Sequence, residues 1–292
     1  METEAIEVSG PLDLRRTLRP LGGTVDADGW WRGFRTPSGE VTLNLHRRRP
    51  EILEARAWGR GAEWALGMLT AISGLDDDPA GFATEDPIIH HLHRRHQGWR
   101  FARTGLVLDA LVEAVVAQKV TSTEAKRSMR GLQRAFSESA PGPKKGLRLP
   151  PDPEQLAAAP YYRLHEVGIE KARADILRRV SSNRLRIEAM GDDVTATVAE
   201  RLASVRGVGR WTIAKTLAIS HGDPDQVAVG DFHHKHIVVY HLTGRPRGTD
   251  EEMLQLLEPF RPHRGRVVRL LHTLGHEPAF GPRVEARDIR GI

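Results

Sequence analysis

The chain has 292 residues and a formal net charge of +5, a modest surplus that suits an anionic partner such as nucleic acid but that an ordinary solvated surface also carries. It contains no cysteine, which excludes disulfides, thiolate zinc sites and cysteine-ligated iron–sulfur clusters. No stretch approaches the ~20 apolar residues of a membrane helix, and acidic Glu2, Glu4 and Glu7 stand where a secretory signal would be basic. We therefore expect a cytoplasmic protein.

The N-terminal part predicts an α+β domain over residues 1–82. Residues 24–58 alternate apolar and polar side chains, with turn chemistry at "TPSGE" and a break at Pro50, a pattern typical of antiparallel strands. Helical spacing flanks them in "LDLRRTLRPL" and "GAEWALGMLTAIS". The Asp run and Pro79 of "GLDDDPAG" predict the domain boundary.

Strand signals nearly vanish in residues 83–292, which predict a helical core. One helix is expected over 107–116, and "STEAKRSMRGLQRAF" follows as a second that opens on a capping sequence. "APGPKKGLRLPPDP" is the clearest loop, and the C-terminal tail "GPRVEARDIRGI" has no regular pattern. Further helices are expected near 153–165, 169–180, 193–204, 210–219, 232–242, 250–258 and 263–274.

The segment "VRGVGRWTIAK" places Gly207 and Gly209 in a tight turn between two of these helices. Glycine permits a positive φ and a close approach of another backbone. The helix that opens at Arg210 offers unsatisfied N–H groups and a positive dipole end, which suit a phosphate oxygen. A capping glycine followed by an ordinary turn is the alternative interpretation.

Leu202-x-x-Val205-x-Gly207-Val208-Gly209-x-Trp211-Thr212 resembles the helix–hairpin–helix of the DNA glycosylase superfamily, and "VAVGDFHHKHI" follows where that superfamily carries its catalytic aspartate. "GWRFARTGLVLDALVEAVVAQKVTSTEA" is similar to the segment that opens the helical core of bacterial 3-methyladenine DNA glycosylase II. The predicted N-terminal domain matches that enzyme's extra domain in size and position. The resemblance implies an α+β domain followed by a helix–hairpin–helix core, with the motif at about 194–220.

The resemblance implies that Asp231 is catalytic. Cleavage of an N-glycosidic bond develops oxocarbenium character on the sugar, which a nearby carboxylate stabilises. Asp231 also has an alternative role as the N-cap of a helix beginning at Phe232. The two roles are compatible if one carboxylate oxygen meets helix N–H groups while the other faces the sugar, and such hydrogen bonds would keep the carboxylate ionised.

The resemblance also implies a monofunctional enzyme, because bifunctional relatives carry a Schiff-base lysine where this chain has Trp211. In bacterial 3-methyladenine DNA glycosylase II a tryptophan at the position of Trp211 borders the base pocket. The face of an aromatic ring attracts a cationic alkylated base. A hydrophobic anchor between helices is the alternative for Trp211. Lys215 and Leu271 fall where that pocket has further aromatic residues, so the pocket is expected to be less aromatic.

The residues expected to contact DNA lie on the hairpin and on one loop. The resembling enzyme inserts an apolar wedge where this chain has Lys119 beside Gln118, and Gln118 could fill the gap left by a flipped nucleotide. The hairpin contacts are expected from Arg206, Gly207, Val208, Gly209, Arg210 and Thr212.

The sequence thus predicts a monomeric enzyme that removes damaged bases, foremost alkylated purines, from double-stranded DNA of the bacterial nucleoid. A non-catalytic DNA-structure binder and a glycosylase for deaminated or oxidised bases are the alternatives. No cofactor is expected, although the resemblance allows a monovalent cation at the hairpin carbonyls. The histidine-rich "HHLHRRH" and "HHKH" lack a carboxylate in a known metal-ligand pattern, so we expect no metal.

Overall fold

A computed structural model describes residues 1–279 and 285–290 and shows a five-stranded antiparallel sheet in the order β1-β5-β4-β3-β2. The expected alternation over 24–58 forms four of these strands, and β3 pairs with β4 so that Trp30 faces Leu45 and Phe34 faces Val41. The fifth, β1, pairs with β5 and was not predicted, because its side chains are mostly exposed and show no apolar alternation. The strands are β1 Glu2–Glu7, β2 Thr24–Asp26, β3 Gly29–Thr36, β4 Gly39–Arg49 and β5 Ile52–Gly59.

One α-helix lies between β1 and β2, and the other α-helices of the described chain follow the last strand. They are α1 Leu14–Leu18, α2 Ala62–Gly67, α3 Leu69–Ile72, α4 Pro87–Arg95, α5 Val107–Val116, α6 Ser122–Phe136, α7 Pro153–Ala158, α8 Tyr161–His165, α9 Lys171–Ser182, α10 Arg184–Glu188, α11 Thr195–Ala203, α12 Arg210–Ser220, α13 His234–Thr243, α14 Asp250–Leu257 and α15 Arg264–Leu271. The α+β class is therefore confirmed. No helix within these residues has the length and apolar character needed to cross a bilayer.

Several helix boundaries differ from the predicted ones for local reasons. The expected helix over 153–165 is two helices, because Pro160 adopts an extended conformation between them. "GAEWALGMLTAIS" is likewise divided at Met68. The predicted capping sequence before α6 is confirmed, since Thr121 and Glu124 bond each other's backbone N–H groups. Helices α4 and α10 were not predicted.

The apolar side chains form three cores. The first lies between the sheet and α1–α3 and includes Ala102 and Leu106. The second joins α5, α6, α9, α11 and α12. The third joins α4 with α13, α14 and α15 and includes Phe82. The division into residues 1–82 and 83–292 stays a prediction, while the second and third cores are the ones that carry the segments expected to form the site.

Candidate active site

The turn between α11 and α12 has the geometry that its two glycines predict, with a different role for each. Gly207 adopts φ 93°, and a Cβ there would lie 2.6 Å from both Cγ1 and Cδ1 of Ile176. Gly209 precedes α12 with φ −101°, and a Cβ there would meet nothing within 4 Å. Val208 between them is buried in the second core. Gly207 is therefore required by the backbone, whereas Gly209 leaves the approach to the helix open.

The exposed side of this hairpin can receive an anion. The N–H groups of Gly207 and Gly209 have no hydrogen-bond acceptor within the described residues, and they stand at the positive end of the α12 dipole. Arg206 and Arg210 are exposed on either side. Val208 and Thr212 are buried, so of the expected DNA contacts these two can contribute backbone groups only.

Gln118 joins the loop after α5 to the hairpin. Its Nε2 donates to the carbonyl oxygen of Gly207 at 3.0 Å and to Oγ1 of Thr212 at 2.8 Å. The neighbouring Lys119 is exposed and adopts a positive φ of 54°, which is uncommon for a residue other than glycine. Gln118 thus holds the loop in place, and Lys119 is the side chain that projects from it.

The hairpin carbonyls do not fit a monovalent cation well. The carbonyl of Arg206 accepts a hydrogen bond from the Arg179 guanidinium at 2.8 Å, and that of Gly207 accepts from Gln118. The Arg179 guanidinium supplies positive charge beside the hairpin, and it opposes a second cation there.

Asp231 lies at the start of α13, and its two carboxylate oxygens have different partners. Oδ1 accepts from the backbone N–H groups of His233 at 2.9 Å and His234 at 3.4 Å. Oδ2 accepts from the indole Nε1 of Trp211 at 3.1 Å. The helix begins at His234, two residues later than expected, so Asp231 caps it from outside the N-cap position. Capping and exposure to a substrate are both compatible with this arrangement.

These contacts keep Asp231 ionised. Burial alone would raise its pKa. Attraction to His234, which acts only at acid pH where that ring is charged, and the hydrogen bonds from Trp211, His233 and His234 outweigh burial and hold the pKa below its ordinary value. The side chain is nevertheless not enclosed, being only partly buried. A carboxylate that is ionised and reachable can act on positive charge that develops next to it.

Trp211 and Lys215 occupy one face of α12 beside Asp231. Lys215 Nζ lies 6.0 Å from the centroid of the Trp211 ring, and Lys215 is exposed while Trp211 is partly buried. The indole therefore does more than line a surface, because its N–H orients the carboxylate. Lys215 places a cation over the aromatic face that the sequence assigned to a flipped base.

Two histidines that the sequence analysis did not select complete this cluster. The rings of His234 and His272 meet edge to face with centroids 5.1 Å apart. Burial lowers the pKa of His234 to about 4 and also lowers that of His272, so both rings are neutral at neutral pH. The "HHKH" motif marked His234, but nothing in the sequence indicated that it meets a residue 38 positions later.

Leu271 is not available to a ligand, contrary to its expected place near the base pocket. It is 0% exposed and packs in the third core with Val238, Leu257 and Val267. Helix α15 turns Leu271 inward, and the ring of the next residue, His272, meets the ring of His234. Residues 1–279 and 285–290 contain no cluster of three histidine or carboxylate side chains arranged to hold a metal ion.

Comparison with solved structures identifies this fold. No family model matches the chain. A 3-methyladenine DNA glycosylase from Archaeoglobus fulgidus superposes with a TM-score of 0.75 at 16% identity, covering 93% of this chain and 97% of that one. An 8-oxoguanine glycosylase/lyase from Clostridium acetobutylicum, bound to double-stranded DNA, superposes with a TM-score of 0.67 at 14% identity, covering 89% and 90%. The chain has the fold of the helix–hairpin–helix DNA glycosylases.

One curated relative supports the same assignment from sequence. YfjP of Bacillus subtilis (strain 168), provisionally named a DNA-3-methyladenine glycosylase, is 22% identical over 171 residues. The match spans 56% of this chain and 58% of the relative. The predicted resemblance to the glycosylase superfamily is thus confirmed. The comparisons include structures named for both 3-methyladenine and 8-oxoguanine, so they leave the closer resemblance to 3-methyladenine DNA glycosylase II as a prediction.

The hairpin geometry predicts a separation between its two glycines. Gly209→Val should fold and weaken binding of damaged and undamaged duplexes alike by about tenfold, because the new side chain would stand at the position expected for a phosphate, and a phosphate contact carries no base information. Gly207→Val should instead lower the melting temperature, because of its positive φ and its contact with Ile176. Duplex Kd at fixed salt and thermal melting measure the two effects. If folded Gly209→Val protein bound duplex DNA with the Kd of the parent, the hairpin would be only a turn between two helices and not a phosphate-binding site.

Proposed function

We propose that this protein is a monofunctional DNA glycosylase that hydrolyses the N-glycosidic bond of a damaged base flipped out of duplex DNA. The observation that carries the proposal is the Asp231 carboxylate, ionised, oriented by Trp211 and partly open, in a fold whose hairpin offers backbone N–H groups to a phosphate. Lys119, exposed and projecting from the loop that Gln118 attaches to the hairpin, is the side chain proposed to enter the duplex.

The proposed reaction uses charge rather than a covalent intermediate. As the bond between the sugar and the base lengthens, the bonding electron pair leaves with the base and positive charge develops on the sugar. Oδ1 and Oδ2 of Asp231 are already oriented, so stabilising that charge requires little reorganisation. Water then adds to the anomeric carbon and loses a proton to Asp231 or to solvent. The product is an abasic site.

The absence of a covalent step predicts how strand cleavage depends on alkali. Trp211 cannot form a Schiff base, so duplexes carrying one damaged base should be nicked only after alkali treatment, and borohydride should trap no protein–DNA adduct. The assay is a panel of duplexes, each with one alkylated, deaminated or oxidised base, run with and without alkali. A trapped adduct would contradict the proposal and implicate Lys215, the amine beside Trp211, which a Lys215→Met variant identifies.

Alkylated purines are the first substrate class proposed, and the curated relative's name agrees with them. The neutral rings of His234 and His272 favour a cationic base, because they add no positive charge beside Asp231. The aromatic face of Trp211 would attract it as well.

Lys215 favours a second candidate, a neutral deaminated or oxidised base. Its ammonium group lies over the Trp211 ring, where it would repel a cationic base and could donate a hydrogen bond to a carbonyl of a neutral one.

Lys215→Met tests whether the Lys215 ammonium group faces the base. Removing the cation should raise the excision rate of a cationic methylated purine relative to neutral hypoxanthine by about fivefold, which corresponds to roughly 1 kcal/mol of repulsion in a solvent-exposed site. Rates on both duplexes give the ratio, and Lys145→Met, on an exposed loop, is the charge-matched control. An unchanged ratio would show that Lys215 does not face the base.

A further inference from the structure

A cleft lies on the sheet side of the molecule, and none of the residues of the cluster around Asp231 lines it. It has a volume of about 840 Å³ and is bounded by the segment 19–24, by β3, by α6 and by the loop 146–151. Its floor contains Arg32, whose guanidinium bonds Asp109 at 2.6 Å and Glu113 at 2.9 Å. None of the residues lining it belongs to the candidate active site. We call it the sheet–α6 cleft.

The lining of this cleft is strongly basic. Besides the paired Arg32, it carries five cations, Arg19, Lys126, Arg130, Arg134 and Arg148. No ion pair is formed by any of the five with residues 1–279 or 285–290. With both lining carboxylates ionised the cleft has a net charge of +4, against +5 for the whole chain. Almost all of the excess charge of the protein is therefore concentrated here.

The arrangement of these cations is unfavourable without an anion. Lys126, Arg130 and Arg134 lie four residues apart along α6, on one edge of the helix. Like charges at this spacing repel and lower helix stability. A bound phosphate would relieve that repulsion, and arginine forks match phosphate oxygens in bidentate geometry.

The cleft also has apolar walls. Pro20, Met129 and Leu147 line it and are at least partly exposed. Its volume falls within the range of ordinary small-molecule sites, which are ~300–1,000 Å³. Cations on the rim with apolar surface between them suit a ligand that combines phosphate with a flat apolar ring, and this combination distinguishes a nucleotide from an inorganic ion.

We propose that the sheet–α6 cleft binds a nucleotide, with its phosphate on the cations of α6 and its base against Met129 and Leu147. The nucleotide is either free or part of a single strand, since both present the same chemistry. This site is distinct from the candidate active site and does not depend on base excision.

The test compares Arg130→Gln/Arg134→Gln with the matched control Arg94→Gln/Arg95→Gln, which removes two exposed arginines of α4 and the same charge. The probes are inorganic phosphate, deoxyadenosine monophosphate and a single-stranded tetranucleotide, titrated calorimetrically at one salt concentration after thermal melting has verified folding. We expect the parent and the control to bind the mononucleotide more tightly than phosphate, and the α6 variant to lose about tenfold or more in affinity.

The two sources of the ligand are distinguished by the tetranucleotide. Equal affinity for both nucleotide probes indicates a free mononucleotide, and much tighter binding of the tetranucleotide indicates a strand. An equal loss of nucleotide affinity in the α6 variant and in the control would show that only the net charge of the protein matters, and it would overturn the proposal. It would also be overturned if the parent bound neither nucleotide, or if the α6 variant bound both nucleotides as tightly as the parent.

Discussion

Asp231→Asn should reduce base release by at least about 100-fold in single-turnover assays while changing the Kd for an undamaged duplex by less than about twofold. Asparagine has the same shape, and its oxygen can still accept hydrogen bonds from the backbone N–H groups that Oδ1 meets. It carries no charge to stabilise the developing cation on the sugar. The phosphate contacts proposed for the hairpin do not involve Asp231, so binding should be preserved.

Asp250→Asn is the matched control for this substitution. The substitution removes the same charge at a residue near Asp231. The Asp250 carboxylate accepts a hydrogen bond from the N–H of Gly230 at 3.1 Å and pairs with Lys235 at 3.5 Å. Its partners, Gly230 and Lys235, are not among the three groups that donate hydrogen bonds to the Asp231 carboxylate. The control should release base at nearly the parent rate. If Asp231→Asn turned over comparably to the parent, the carboxylate would be only a helix cap.

Arg32→Leu should lower the free energy of unfolding by about 3–5 kcal/mol, because it removes the cation from a buried ion cluster. Arg32 is 7% exposed and connects strand β3 to Asp109 and Glu113 of α5. Burial already raises the pKa of Glu113 to about 7, although Arg32 opposes the rise. Without Arg32, Glu113 should be protonated at neutral pH, so no uncompensated charge stays buried at that carboxyl. The loss in the free energy of unfolding should therefore lie toward the lower end of this range.

Urea denaturation of the parent, Arg32→Leu and Arg48→Leu measures this effect. Arg48 lies on the neighbouring strand β4 with 71% of its side chain exposed and pairs with Glu54 at 3.3 Å. The control should change stability by less than about 1 kcal/mol, as surface ion pairs do. A loss of that small size in Arg32→Leu would show that packing, rather than the ion cluster, holds the sheet to α5.

The features that the sequence predicted well are determined by residues close together in the chain. The hairpin glycines act within a few residues of one another, and the capping box of α6 joins Thr121 to Glu124. Short turns connect the successive strands from Thr24 to Gly59, so the alternation of apolar and polar residues that predicts these strands is also a local signal. The resemblance to the glycosylase superfamily rested on an ordered pair of such local motifs.

The features that were missed depend on contacts between distant residues. Trp211 bonds Asp231 across 20 positions, and Arg32 meets Asp109 across 77. The resemblance placed Leu271 at the site, but which side of a helix faces the site is set by packing in the third core. His272 takes that place, and neither propensity nor spacing indicates which of two adjacent residues turns inward.

Chemical identification of the released base tests the central claim most directly. Duplex DNA carrying alkylated and deaminated bases is incubated with the parent or with Asp231→Asn, and low-molecular-weight products are identified by mass spectrometry before any alkali treatment. We predict free damaged bases and intact, abasic-site-containing strands with the parent, and no free base above the enzyme-free background with Asp231→Asn. Release of nucleotides instead of bases, or equal release by both proteins, would contradict hydrolysis of the N-glycosidic bond through Asp231.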